Sequence, residues 1–192
     1  MEEPIIKIRR TEILSDNKYL LKKITYDKAN KGRIETLSRE VYDRGNGAVI
    51  LLYNKTAKTV ILTQQFRLPT FVNGNPTGLL IEACAGLLDR DDPEAAIKRE
   101  TEEETGYKIA TVEKVMEAYM SPGSVTEMLY FFIAEYAQSM KVNEGGGLAE
   151  EHEDIEVLEM TIDEAMAKIG TGEIKDGKTI MLLQYVRLKG IL

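Results

Sequence analysis

A period of two runs through Leu20, Lys22, Ile24 and Tyr26 against their neighbours and predicts a strand over residues 20–26. Shorter extended patterns at residues 5–8 and 34–42 flank it, divided by the turns Ser15-Asp16-Asn17 and Asn30-Lys31-Gly32, so residues 1–44 read as a small antiparallel sheet. Three such strands cannot build a stable core alone. They must pack on the rest of this chain or on a second copy. Arg44-Gly45-Asn46-Gly47 marks a boundary, and the long apolar runs 48–53 and 59–66 beyond it predict strands of a sheet covered on both faces. Residues 70–78 form a loop rich in Asn, Gly and Pro, and residues 79–84 return as a strand.

Asp92 and Pro93 open a helix that stops at Thr105-Gly106. Strands over 112–119 and 128–136 follow, joined by the turn-rich stretch 120–125. Gly145-Gly146-Gly147 reads as a flexible hinge before an acidic run, then comes a strand over 155–160. Thr161-x-x-Glu164 is a capping box for a helix ending near Gly170. A last helix, 178–188, offers Ile180, Leu182, Leu183 and Val186 as a core face. Internal repeats and heptads are absent.

With 192 residues, 43 % of them hydrophobic, the chain suffices for one good core. A net charge of -7 argues against a nucleic-acid partner, whose phosphates need Lys and Arg. It does not oppose an anionic small-molecule substrate, because bound cations reverse the local field. The single cysteine, Cys84, lies in an apolar stretch and reads as a buried thiol rather than a nucleophile. The opening Met-Glu-Glu-Pro lacks the character of a secretory leader, and the apolar runs are too short to span a bilayer. A cytoplasmic protein with no membrane partner is expected.

Residues 85–107 carry the candidate chemistry. From Lys98 to Thr105 the helix has no apolar side chain, and Glu102, Glu103 and Glu104 crowd its last turn, where the dipole is already negative. Glu100 and Glu104 share one face, with Glu103 beside them and Arg99 placed to pair with Glu103. A hard divalent cation with oxygen ligands would offset that charge.

These residues resemble the signature of the Nudix hydrolases: a Gly, a spacer with an acid, Arg-Glu-x-x-Glu-Glu-x-Gly and an apolar residue. The matches are Gly86, Arg99, Glu100, Glu103, Glu104, Gly106 and Tyr107. Here the interval from Gly86 to Arg99 is one residue shorter than usual, Asp91 or Asp92 stands where a Glu is expected, and Thr101 replaces an apolar residue. The resemblance implies an α/β fold, the Nudix α/β/α sandwich with a mixed central sheet over residues 45–192, preceded by the small antiparallel β-sheet domain of residues 1–44. It implies Mg2+, with Mn2+ as a substitute, held by Glu100, Glu104, the Ala85 carbonyl and an acid of the 150–154 run. Glu151 is the first choice for that acid and for the catalytic base, with Glu103 and Glu153 as the other catalytic candidates.

Other stretches are similar to the family's sugar-nucleotide and ADP-ribose hydrolases. Gln65-Phe66-Arg67 makes Arg67 a phosphate contact, and Gly86 and Leu87 of the glycine loop, Glu127, Glu150 and Asp176 would also meet substrate. Relatives of this kind exchange an amino-terminal sheet within a homodimer, which would carry Asn17 or Lys18, with Ser38, Arg39 and Glu40, into the partner's site. The implied reaction is hydrolysis of the pyrophosphate bond of a nucleoside diphosphate sugar, GDP-mannose giving GMP and mannose 1-phosphate. ADP-ribose is the alternative substrate, favoured by Pro122 about fifteen residues beyond Tyr107. A module that binds metal and nucleotide without catalysis is the third reading.

Overall fold

A computed structural model describes residues 5–30, 32–88, 91–148, 150 and 154–192. Two compact units emerge: one holds the residues up to Asn46 together with Tyr119–Met128, the other Gly47–Ala118 and Leu129–Leu192.

In the first unit, β1 (Ile5–Asp16), β2 (Leu20–Asn30) and β3 (Arg33–Asp43) form an antiparallel sheet with β2 in the centre. β3 matches its expected span to within one residue at each end, whereas β1 and β2 run beyond theirs; in β1 two irregularities, at Ile8/Arg10 and Ile13/Ser15, break the alternation. None of the twelve residues of β1 is buried, and Ile5, Ile8, Ile13 and Ile34 stand exposed. The best-covered side chain noted in the sheet is a carboxylate: Asp27, 8 % exposed, accepts from Arg9 Nε at 2.6 Å and from the Thr36 hydroxyl at 2.9 Å. The loop before Met128 is tied on by backbone bonds, Tyr42 N–H to the Ser124 carbonyl at 2.7 Å and Thr126 N–H to the Tyr42 carbonyl at 3.1 Å.

The second unit is built on β4 (Gly47–Asn54), β5 (Thr59–Phe66), β6 (Leu79–Glu82), β7 (Ala85–Leu87), β8 (Glu113–Tyr119), β9 (Met128–Glu135) and β10 (Glu156–Thr161). The order is β10-β5-β4-β9-β8, with β4 and β9 parallel and β10, β5 and β4 antiparallel, so the sheet is mixed. It contains a fork. β5 pairs with β4 only over Thr59–Ile61, then diverges to pair with β6, while β7 takes the vacated edge of β4 at Gly47–Val49. Residues 82–86 cross the fork, and Ile50 N–H donates to the Cys84 carbonyl at 2.9 Å.

Every residue from Ala48 to Leu52 is at most 1 % exposed, as the continuous apolar run requires of a strand covered on both faces. Ala48, Ile50 and Leu52 belong to a cluster with Ile97, Tyr107 and Phe132 on the side of α2 (Pro93–Thr105). Val49 and Leu51 alternate to the opposite face. α3 (Ile162–Thr171) packs against β10, and α4 (Gly177–Leu188) against α3 and β4. α4 buries Thr179, Leu182, Leu183 and Val186. Thr179 replaces the expected Ile180 on that face because its hydroxyl is satisfied internally, as shown below. A short helix, α1 (Leu68–Val72), overlaps the start of the 70–78 stretch expected as loop, with Pro69 in its first turn. Among the described residues no helix is long and apolar enough to cross a membrane.

Candidate active site

α2 starts where Asp92 accepts from the amides of Glu94 and Ala95, at 3.0 and 3.4 Å, and ends where Gly106 adopts φ 78°. The acid that stands in the signature's spacer is therefore a helix cap, and Asp91 lies 3.7 Å from Arg99. The buried face of the helix is Ala96, Ile97, Thr101, Glu104 and Thr105. Thr101 tolerates a position that expects an apolar residue because its hydroxyl donates to the Ile97 carbonyl at 2.6 Å, and Thr105 repeats the bond one turn on.

The carboxylates divide by direction. Glu102 turns to Lys108 at 3.3 Å. Arg99 sits between Glu100 at 3.0 Å and Glu103 at 3.2 Å; burial pulls its guanidinium pKa down, and the charges of Glu100, Glu103 and Asp91 more than reverse this. The Glu100 carboxyl lies against Gly86, and a Cβ at that point of β7 would displace it. Glu104 is 2 % exposed. Burial first, then the Glu104 carboxylate, push the Cys84 thiol well above its ordinary pKa. Cys84 is a structural thiol.

Behind the last turn of α2, the three glycines are not a loose hinge. Gly146 N–H donates to the Glu104 carbonyl at 2.9 Å and Gly147 N–H to the Glu103 carbonyl at 3.1 Å, filling acceptors that a helix end leaves without partners inside the helix. Gly145, Gly146 and Gly147 hold φ values of 70°, 106° and 79°; that left-handed backbone turns the amides of Gly146 and Gly147 onto the helix, while Gly145 N–H donates to Asn143 Oδ1 at 2.7 Å. A cleft of about 490 Å³ opens beside this clamp, lined by Arg99, Glu102, Glu103, Asn143, Gly145 and Gly147.

A second charged group gathers across the fork. Arg67, at the end of β5, donates from Nε to Glu82 Oε2 at 2.6 Å, and Lys178 of α4 bonds to Oε1 of the same carboxylate. Lys178 also pairs with Asp176 Oδ1 at 2.9 Å. Asp176 Oδ2 accepts from the amide and hydroxyl of Thr179, at 3.0 and 2.6 Å, and the Thr179 oxygen accepts from Ala83 N–H at 2.7 Å. Asp176 is thus the cap of α4 as well as a link in this ring. Burial alone would lower the Arg67 pKa; Glu82, then Glu104 and Asp176, raise it, which brings Arg67 within electrostatic reach of the acidic helix.

Ala85, Gly86 and Leu87 lie in β7, half-buried, at the mouth of the fork. The structure brings together Arg67, Ala85, Gly86, Leu87, Glu100, Glu103, Glu104 and Asp176 in one unit. Glu150 is exposed, and Glu151 and Glu153 lie outside the described residues. In the other unit, Ser38, Arg39 and Glu40 pair across β3 with Thr25, Ile24 and Lys23; Arg39 donates to the Ser38 carbonyl at 2.8 Å. Lys18 stands 5.8 Å from the centre of the Tyr19 ring, and Glu127 lies 3.3 Å from Arg44. From sequence, Glu82 reads either as a sheet-edge charge or as a further acid near the metals; Lys178 was missed, although it stands two residues beyond Asp176.

Among the described residues no three His, Cys, Asp or Glu side chains gather as a metal cage. The described donors are two carboxylates on one helix face, Glu100 and Glu104, beside the glycine loop backbone. Carboxylate and carbonyl oxygens suit a hard divalent cation, and the glycine that admits Glu100 keeps that carboxylate against the loop. The donor set fits such an ion.

A forked mixed sheet, a glycine loop in the fork and an acidic helix that presents Glu100 and Glu104 beside it define a Nudix architecture. The Nudix domain matches residues 43–183, and the chain belongs to that family; it is a hydrolase acting on a pyrophosphate bond. Nudix hydrolases in general use divalent metal ions. Residues 5–42 match the GDP-mannose pyrophosphatase NudK N-terminal domain. Over 97 % of both chains it is 55 % identical to a GDP-mannose pyrophosphatase of Citrobacter koseri and to one of Escherichia coli O1:K1 / APEC, and 54 % identical to one of Cronobacter sakazakii.

Proposed function

We infer that the protein hydrolyses GDP-mannose to GMP and mannose 1-phosphate with Mg2+, for which Mn2+ can substitute. The observation that carries this reading is the likeness to GDP-mannose pyrophosphatases along nearly the whole chain, the amino-terminal sheet included. Glu100, Glu104 and the Ala85 carbonyl would hold the ions with Glu151, and bound Mg2+ would neutralise phosphate charge and acidify a water. Arg67 binds the diphosphate, its Nε anchored by Glu82. Gly86 and Leu87 give the substrate close access to backbone, and Glu127, Glu150 and Asp176 contact its outer parts.

The attacking water passes its proton to Glu151, with Glu103 or Glu153 as the other acceptors. Glu103 lies 3.2 Å from Arg99, which holds its carboxylate in place. The exposed isoleucines of β1 and β3 support a homodimer in which the sheet is exchanged and Lys18, Ser38, Arg39 and Glu40 reach the partner's site. The division at residues 1–44 and 45–192 belongs to the same proposal. A reducing, cytoplasmic setting suits a chain with one buried thiol.

The test is an Mg2+-dependent assay on GDP-mannose and ADP-ribose side by side, with products separated by chromatography. Faster release of GMP and mannose 1-phosphate is expected. Preference for ADP-ribose would reassign the substrate, and absence of turnover on both would overturn the reading.

A further inference from the structure

Glu82 is nearly sealed from water, its side chain 4 % exposed, yet it meets two cations that come from distant parts of the chain. Buried carboxylates are as a rule paired and hydrogen-bonded, and Glu82 has both kinds of partner. The two cations differ in what they leave over. Lys178 is spent inside the ring, 13 % exposed and shared between Glu82 and Asp176. Arg67 gives Glu82 its Nε and remains 39 % exposed.

A carboxylate accepts bidentately from a guanidinium when both its oxygens are available. Here Lys178 bonds to Oε1, and Arg67 meets the carboxylate through Nε at Oε2. We propose that Lys178 is a positioning residue for the substrate diphosphate: by occupying one oxygen of Glu82 it keeps Arg67 in a single-point bond, with the rest of its guanidinium turned outward to the phosphates. Without Lys178, Glu82 takes Arg67 as a fork and draws it inward. Lys178 also fixes Asp176 Oδ1, while Thr179 fixes Oδ2, so the start of α4 and the end of β5 are set by one ring. The inference rests on the reading of Arg67 as a phosphate contact made above.

The experiment compares wild type, Lys178→Met, Lys178→Arg, Glu82→Gln and the Glu82→Gln/Lys178→Met double variant in Mg2+-dependent hydrolysis of GDP-mannose, with thermal melts to show that each is folded. Lys178→Met is expected to raise KM about tenfold while kcat stays within about threefold. Lys178→Arg should return KM to within about threefold of wild type, because a second cation again holds Oε1. The double variant should be no worse than Glu82→Gln alone, since Lys178 acts through Glu82. A folded Lys178→Met enzyme with unchanged KM, or a double variant whose defect is the product of the two single ones, would overturn the proposal. Should Glu82→Gln fail to fold, the Met and Arg variants decide alone. A wild-type protein that does not hydrolyse GDP-mannose would overturn the underlying reading instead, before any variant is compared.

Discussion

The amide of Gly146 donates to the carbonyl of Glu104 across 2.9 Å, so the residue that ends the acidic face of α2 is bonded through its backbone to the loop that precedes the 150–154 acids. Both parts of the proposed metal site share this joint. Its tightness comes from glycine: a Cβ at Gly145 would lie 2.5 Å from the Glu104 carbonyl oxygen and 2.6 Å from the Thr105 carbonyl carbon.

Gly145→Ala should therefore cost about 2–4 kcal/mol, from a left-handed backbone and a backbone clash together. That corresponds to a fall of roughly 5–10 °C in Tm for a chain of this size. Turnover measured well below the transition should drop about tenfold or more, because the last turn of α2 shifts. Gly170→Ala, in α3 with no atom within 4 Å of the added carbon, is the matched control and should be neutral or slightly stabilising.

Glu104→Gln removes one charge and little shape. Turnover at saturating Mg2+ should fall roughly a hundredfold or more if Glu104 is a metal ligand. The stability of the metal-free protein should move the other way, because a 2 % exposed carboxylate at the negative end of a helix beside Glu100 and Glu103 is relieved of its charge. Melting in EDTA and steady-state assays on the same preparation check both signs. Turnover within twofold of wild type would remove Glu104 from the ligand set.

In the amino-terminal unit, Asp43 accepts from Lys22 Nζ at 2.7 Å, from the Thr126 hydroxyl at 3.0 Å and from the Gly45 amide. The bond from Lys22, then that from Thr126, hold its pKa below the usual carboxylate range against the opposing effect of burial. A depressed folded pKa means that the stabilisation is complete above the unfolded value of about 3.9 and is lost as pH falls through the folded one. Asp43→Asn should therefore lower Tm by a few degrees at pH 7, and the gap to wild type should narrow as pH falls below about 4. A gap independent of pH would show that shape, not charge, ties this residue to the loop.

Local chemistry made α2 legible. Asp92, Pro93 and Gly106 mark its ends, and the spacing of Glu100, Glu103 and Glu104 gives their shared face without any knowledge of the sheet. β4 was legible because a strand covered on both faces is apolar nearly throughout, and β5 through its run Val60-Ile61-Leu62. β1 was legible only over its first residues for the converse reason: Ile5-Ile6-Lys7-Ile8-Arg9-Arg10 has no clean alternation, since the strand carries register irregularities and none of its residues is buried. The glycine clamp and the Glu82 ring depend on pairs distant in sequence. Glu82 and Lys178 are 96 residues apart, and nothing near either one announces the other. Three glycines in a row look flexible until a helix end supplies the acceptors that hold them.

The sheet of β1, β2 and β3 keeps the isoleucines of its outer strands in water and gives its best cover to a carboxylate. Its ordering is then a different kind of equilibrium from that of the larger unit, which closes a core of its own and can fold by a first-order step at any dilution. The hydrophobic term for the sheet arrives only with a second apolar surface. Where that surface belongs to another copy of the chain, as proposed, protein concentration becomes a reactant: dilution acts as a denaturant on one part of the molecule, and abundance in the cell sets how much of it is ordered.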